Sequence, residues 1–163
     1  MTRTRKGVPL FLSLGFTLLE ILLAFAVFSI LAAIALPRWS ALLPGFRLSS
    51  AARQIQSELQ RTKARAAAGN ADFRLVFAST NYGIERRDSA SWQPTGENKP
   101  LPEGIDIKSA TVPKLGFTSR GTPTPGTGGT VKLCSATGGG RNIVVGSTGR
   151  VRICKPDSCN GTC

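Results

Sequence analysis

The chain has 163 residues, 21 Lys+Arg against 9 Asp+Glu, 4 cysteines and no histidine, for a formal charge of +12. That length suits one ordinary domain, or a small domain with an appendage. Without histidine there is no Ser-His-Asp or Cys-His site and no imidazole metal ligand, and a charge this positive points to an anionic partner: nucleic acid, a lipid surface or an acidic protein.

The first 15 residues carry Arg3, Arg5 and Lys6 and no acid. Phe16 to Leu36 follows, 21 residues in which Glu20 is the one charge. As a helix rising about 1.5 Å per residue this stretch is roughly 30 Å long, the thickness of a bilayer core. The upstream cations predict a cytoplasmic N-terminus. An ordinary secretory signal has its small-residue cleavage site after the apolar run. Here Ala33-Ile34-Ala35 lies inside the run, and Gly15-Phe16 lies before it. Glu20 does not fit a plain anchor, because a carboxylate in hydrocarbon is costly and needs a partner.

Gly15-Phe16-Thr17-Leu18-Leu19-Glu20 resembles the processing motif of type IV prepilins and type II secretion pseudopilins. The resemblance implies that prepilin peptidase cuts after Gly15 and that Phe16 becomes an N-methylated N-terminus. It also implies that Glu20 pairs with the N-terminal amine of a neighbouring subunit. A buried carboxylate is tolerable when it meets a cation in the same low-dielectric place. Pro37 also matches a common pilin position.

Beyond Pro37 the pattern stays helical to about Ala68. Leu48, Ala51, Ala52, Ile55 and Leu59 recur at three and four residues as one apolar face. Arg53, Arg61, Lys63 and Arg65 lie mostly off that face and read as solvated. Pro44-Gly45 predicts a kink or a short melted segment. Gly69 is the expected C′ residue of the helix stop.

From Asp72 onward short strands are predicted over 73–78, 82–87, 105–109, 114–118, 130–135, 141–145 and 150–154. The longest separating segments are 88–104 and 119–129, and the second, rich in Gly, Pro and Thr, reads as a mobile loop. A helix followed by about seven strands gives an α+β fold: a long, partly transmembrane N-terminal helix packed on a C-terminal antiparallel β-sheet or β-sandwich head. The expected organisation is a leader over 1–15, a transmembrane and assembly half of the helix over 16–36, a periplasmic half over 37–69, and a β-rich head over 70–163 with a basic, disulfide-bearing C-terminus. Predicted core residues are Leu75, Phe77, Ile84, Ile105, Ile107, Leu115, Phe117, Val131, Leu133, Ile143, Val145, Val151 and Ile153.

Leu115-Gly-Phe-Thr-Ser-Arg120-Gly, Val131-Lys-Leu-Cys134, Gly138-Gly-Gly-Arg141-Asn-Ile-Val-Val145 and Gly149-Arg-Val-Arg-Ile-Cys154 follow in an order and spacing similar to the GspH/FimT family of minor pilins and minor pseudopilins. The likeness runs from Phe16 to Cys154 and is weakest over 79–101. It implies a single-pass inner-membrane protein with a periplasmic head that enters a pilus or pseudopilus. Its expected partners are prepilin peptidase, other pilins or pseudopilins, the inner membrane and, in the FimT-like case, DNA. No cofactor, metal or catalytic residue is expected: there is no nucleophile-base pair, metal spacing or phosphate-loop motif.

Cys134, Cys154, Cys159 and Cys163 lie in the last thirty residues, on the oxidising side of the membrane. Strand parity sets Lys132 and Cys134 opposite Val131 and Leu133. It likewise sets Arg150, Arg152 and Cys154 opposite Val151 and Ile153. Cys134 and Cys154 on adjacent strands would then bridge, leaving Cys159 with Cys163. The rival reading is a zinc site of four thiolates, disfavoured by the compartment.

From Ile107 onward there are eight Lys/Arg and one acid, Asp157, a net of +7. Arg150 and Arg152 are two residues apart on a strand, so their side chains leave one face about 6.7 Å apart. Arg141 sits in a Gly-rich turn, and Lys132 and Lys155 extend the patch. Such a cluster binds phosphates without reading bases. Gly149-Arg150-Val151-Arg152 matches a Gly-Arg-x-Arg motif that the FimT resemblance associates with DNA binding. The alternative reading is a type II secretion pseudopilin whose head binds tip subunits or cargo.

Overall fold

The structure is a computed structural model that describes residues 16–162, with the side chains at 36–41 and 109 excepted. Met1 to Gly15 and Cys163 lie outside the described residues. The element order is α1 (Leu18–Gly69), β1 (Phe73–Phe77), β2 (Asn81–Asp88), β3 (Ser91–Pro100), β4 (Ile105–Ala110), β5 (Lys114–Phe117), β6 (Pro123–Thr124), β7 (Gly129–Ser135), β8 (Gly140–Val145) and β9 (Val151–Cys154). The chain divides into two compact units, Met1–Ser40 and Ala41–Cys163, which are described separately.

In the first unit, Leu18–Ala35 has a mean hydropathy of 2.6 and none of it is buried within the chain. Its length and composition suffice to cross a membrane. Thr17 starts the helix by accepting a hydrogen bond from the Glu20 amide at 3.2 Å. This is the N-cap geometry that satisfies one of the orphan donors of a helix start. The one hydroxyl deep in the apolar stretch, Ser29, donates to the Phe25 carbonyl at 2.7 Å and so needs no outside partner.

In the second unit the helix buries Leu48, Ala51, Ala52, Ile55 and Leu59 on one face, joined one turn from its end by Ala66. That face forms a single core with Leu75, Tyr82, Leu115 and Phe117 of one sheet and Ile105, Val131, Leu133, Ile143 and Val145 of the other. Each fully buried Leu or Ile contributes about 1.5–3 kcal/mol of transfer free energy. Phe77, Ile107, Val151 and Ile153 pack at the edge of this core, partly exposed. Tyr82, which the apolar pattern missed, is fully buried; its hydroxyl accepts from Gln54 at 3.1 Å.

The helix continues through Pro44 and Gly45, so the melted segment expected there is not formed. It stops at Asn70 rather than Gly69. Asn70 adopts φ 42 and the Ala71 amide reaches back to the Ala66 carbonyl at 3.3 Å. That is a Schellman closure with asparagine in the left-handed C′ position.

The first sheet runs β3-β2-β1-β5-β6 and the second β4-β7-β8-β9, and every pairing is antiparallel. Two strands occupy segments expected to be loops. β3 is an edge strand within 88–104, and β6 pairs briefly with β5 within 119–129. An edge position tolerates Pro94 and Pro100, whose missing N–H groups would break a central strand.

An ion-pair network ties β3 to the helix. Arg65 Nη1 lies 2.7 Å from Glu97 Oε1, and Lys99 Nζ lies 2.8 Å from the buried Glu58 Oε2 and 3.5 Å from Glu97 Oε2. The Arg65 hydrogen bond, foremost, holds the Glu97 carboxyl below its ordinary 4.5. The Glu58 hydrogen bond, foremost, holds the Lys99 ammonium above its ordinary 10.5. Glu97 therefore stabilises the fold fully above pH 4.5 and loses its contribution as pH falls through the lower folded value. Lys99 contributes fully below 10.5 and loses it as pH rises through the higher folded value. Thermal melts are expected to show Glu97→Gln less stable than the parent at neutral pH, with the gap closing on acidification. A gap that is constant with pH would contradict this.

Candidate functional site

Two surfaces carry the sequence-predicted site residues. On the apolar helix Phe16 is 77% exposed and Glu20 is exposed, and Phe16, Glu20, Ile21, Ala24, Phe25 and Phe28 line an open groove of about 570 Å³. Among the described residues no cation pairs with the Glu20 carboxylate. Gly15 lies outside the described residues.

The second surface is the face of the β4-β7-β8-β9 sheet that points away from the helix. Strand pairing sets Val144 beside Arg152 and Thr130, and Asn142 beside Lys132 and Cys154. Side chains of paired residues share a face, so Lys132, Asn142, Val144 and Arg152 form one surface. Arg150 precedes β9 in the turn from Gly146, whose amide donates to the Arg150 carbonyl at 3.0 Å. Val144, Gly146, Thr148, Arg150 and Arg152 line a depression of about 260 Å³. A second, of about 290 Å³, lies between Thr111, Thr130, Lys132, Asn142, Arg152 and Thr162. Arg152 thus stands between two depressions rimmed by hydroxyls and glycine backbone.

Arg150 and Arg152 are exposed, and among the described residues neither they, Lys132 nor Lys155 has a carboxylate within ion-pair distance. The ion pairs that do form involve α1, the β1-β2-β3 region and Glu103. On the strands of this face the acid is Asp106 of β4, three strand positions from β9. Lys132 is turned to the C-terminal tail, donating to the Asn160 carbonyl at 3.1 Å. Lys155 is exposed just past β9.

Arg141 departs from expectation. It lies in β8, not in a turn, and pairs with Leu133, which puts it on the opposite, helix-facing side of the sheet. Its Nη1 donates to its neighbour's carbonyl, Gly140 O, at 3.0 Å. Alternation decides the face: Arg141 has the parity of the buried Ile143 and Val145.

The cysteines depart as well. Cys134 is bonded to Cys159, with Cα atoms 5.4 Å apart, and Cys154 is also in a disulfide. The expected Cys134–Cys154 bridge fails because β8 lies between β7 and β9. Two strand spacings are about 9–10 Å, beyond disulfide reach. Cys159 with Cys163 fails with it, since Cys159 is taken. Instead the tail folds back over the outer face. Asn142 Nδ2 donates to the Gly161 carbonyl at 3.0 Å. A Cβ on Gly140 would lie 2.9 Å from the Ser158 carbonyl and 3.0 Å from Cys159 Cα, so only glycine admits the tail there. Among the described residues no cluster of His, Cys, Asp and Glu could hold a metal ion.

A helix with an apolar first half and a carboxylate near its start, followed by a helix-backed β-rich head, defines a pilin-like α+β protein. The chain belongs to the GspH family: residues 51–149, more than half its length, match type II transport protein GspH. Residues 12–36 match the prokaryotic N-terminal methylation motif. The solved structures it resembles include the type IV minor pilin FimU of Pseudomonas aeruginosa, with 25% identity and TM-score 0.57 over 69% of this chain and 94% of that one. The minor pseudopilin EpsH of the Vibrio cholerae type 2 secretion system shows 15% identity and TM-score 0.58 over 68% and 98%. Escherichia coli GspH shows 14% and 0.56 over 68% and 89%. No match was found among curated protein sequences. The chain is therefore a minor pilin or pseudopilin, from a family of structural subunits. Its methylation motif implies prepilin peptidase processing and assembly with other pilins, and with the apolar helix it marks the chain for membrane anchoring.

Proposed function

We propose that the chain is a FimT-like minor pilin. Its helix assembles into a type IV pilus from the inner membrane, and its head binds DNA without regard to sequence for uptake in natural transformation. The observation that carries this reading is the exposed Arg150 and Arg152 lining one depression, with no carboxylate partner among the described residues. Two guanidinium groups about 6.7 Å apart suit neighbouring phosphates, and the Thr148 hydroxyl on the same rim offers a further donor. Base reading is not expected. Tyr82 is buried, and Trp92 is stacked by Arg74 at 3.9 Å in the other sheet, so neither serves as a stacking platform beside the arginines. The match to a type II transport family supports the second reading, a pseudopilin whose head binds tip subunits or cargo.

Titration of the detergent-solubilised chain with duplexes of unrelated sequence at several salt concentrations tests the proposal. Near-equal affinities are expected, with a log–log salt slope of roughly −2 to −4. No binding at low salt, together with capture of a secretion-tip subunit, would favour the second reading.

A further inference from the structure

The helix side chain Lys63 reads from sequence as one more solvated cation, but its position is specific. Its Nζ donates to the Gly149 carbonyl at 3.2 Å and lies 5.8 Å from the centre of the Phe117 ring. Among the described residues it has no carboxylate partner. Seven residues earlier, on the same helix face, Gln56 Nε2 lies 3.5 Å from the Val151 carbonyl. The helix thus holds the Gly149 carbonyl just before β9 and the Val151 carbonyl at its start, on the open side of this edge strand.

The Gly149 carbonyl is a consequential point to hold. A peptide unit is planar, so the direction of that C=O sets the direction of the Arg150 N–H and the entry to its Cα. The next peptide unit is also fixed, since the Arg150 carbonyl accepts from the Gly146 amide. Arg150 therefore leaves a backbone pinned on both sides. Gly149 itself has φ +74, and a Cβ there would come 2.9 Å from the Gly121 carbonyl and 3.2 Å from Lys63 Nζ. This close three-way packing leaves the turn little room to rotate.

We infer that Lys63 is a positioning residue for the arginine face: its ammonium group holds the Gly149 carbonyl and so aims Arg150 at the anion that face receives. The inference rests on the reading of that face as a phosphate-binding surface. Lys63 approaches the turn from the helix side and does not line either depression beside Arg152, so it acts through Arg150 and not on phosphate.

The test compares detergent-solubilised parent, Lys63→Met, Lys63→Arg, Arg150→Ala and the Lys63→Met/Arg150→Ala double variant, each titrated with a short DNA duplex. Lys63→Met is expected to weaken binding roughly tenfold, the worth of one charge-assisted contact. Lys63→Arg restores it, and Lys63→Met costs nothing further once Arg150 is gone. A merely structural role, or a direct phosphate contact, would instead lower affinity equally in both backgrounds, and that result overturns the inference. Amide exchange gives a reading independent of DNA. In Lys63→Met, Gly149 and Arg150 should exchange faster than in the parent while β7 and β8 keep their protection. If the arginine variants bind DNA as well as the parent does, the DNA reading fails, and exchange alone decides Lys63. Unchanged exchange at Gly149 and Arg150 overturns it.

Discussion

Replacing Arg150 and Arg152 together by alanine is expected to weaken duplex DNA binding by at least about a hundredfold at low salt and to reduce the log–log salt slope by about 1.8. Two terms combine. Each guanidinium lost removes a charge-assisted contact worth about 1.5–3 kcal/mol, and each phosphate no longer neutralised keeps its condensed counterion. Both arginines project from the edge of the sheet and neither supports the core, so the fold should survive and thermal melting should match the parent. Arg141→Ala is the internal control. It removes the same charge from the same sheet but on the helix-facing side, so its effect on affinity should be small. Gel retardation across salt concentrations checks all three. A double variant that retards DNA like the parent would move the site elsewhere, whereas an Arg141 effect as large as the double would reduce the surface to bulk charge.

Substituting Glu20 by alanine is expected to abolish incorporation into filaments while leaving cleavage after Gly15 largely intact. The Glu20 carboxylate sits in the first turn of a helix whose following side chains are exposed and predominantly apolar as far as Ala35, so assembly would carry it into a low-dielectric core. Removing one partner of a buried ion pair costs about 3–5 kcal/mol, because the remaining charge is stranded. In this chain the stranded charge would be the N-terminal amine of the neighbouring subunit. Glu20→Gln keeps the shape and the backbone cap made with Thr17 but lacks the charge, and should fail similarly. Immunoblots of sheared filaments against membrane fractions read the outcome. Normal incorporation of either variant would count against the pairing.

Much of the head was legible because its signals are periodic. The spacing of Leu48, Ala51, Ala52, Ile55 and Leu59 located the buried helix face, and alternation located Val131, Leu133, Ile143 and Val145 on the inner side of their sheet. What stayed hidden depends on order across the sheet, and alternation along a strand carries no such information. Cys134 and Cys154 have the same parity, yet β8 separates them. Arg141 was legible from alternation, since it shares parity with Ile143 and Val145, but placing it in the glycine turn overrode that signal. Tyr82 was hidden because a hydroxyl-bearing ring reads as amphipathic until its partner, Gln54, is seen. The tail over the outer face left a single trace, the glycine at 140, which is indistinguishable in sequence from a turn glycine.

β3 was missed for a different reason, and that reason bears on life in a filament. Its sequence, Ser-Trp-Gln-Pro-Thr-Gly-Glu-Asn-Lys-Pro, lacks the β-branched and aromatic run of an ordinary strand. An open sheet edge is a template for any passing chain, and a polymer that crowds many heads together multiplies such encounters. Pro94 and Pro100 delete donors from that template, and Gly96 weakens its extended form. The composition that made this strand hard to read is thus the same one that makes it a poor template for edge-to-edge pairing with a second sheet.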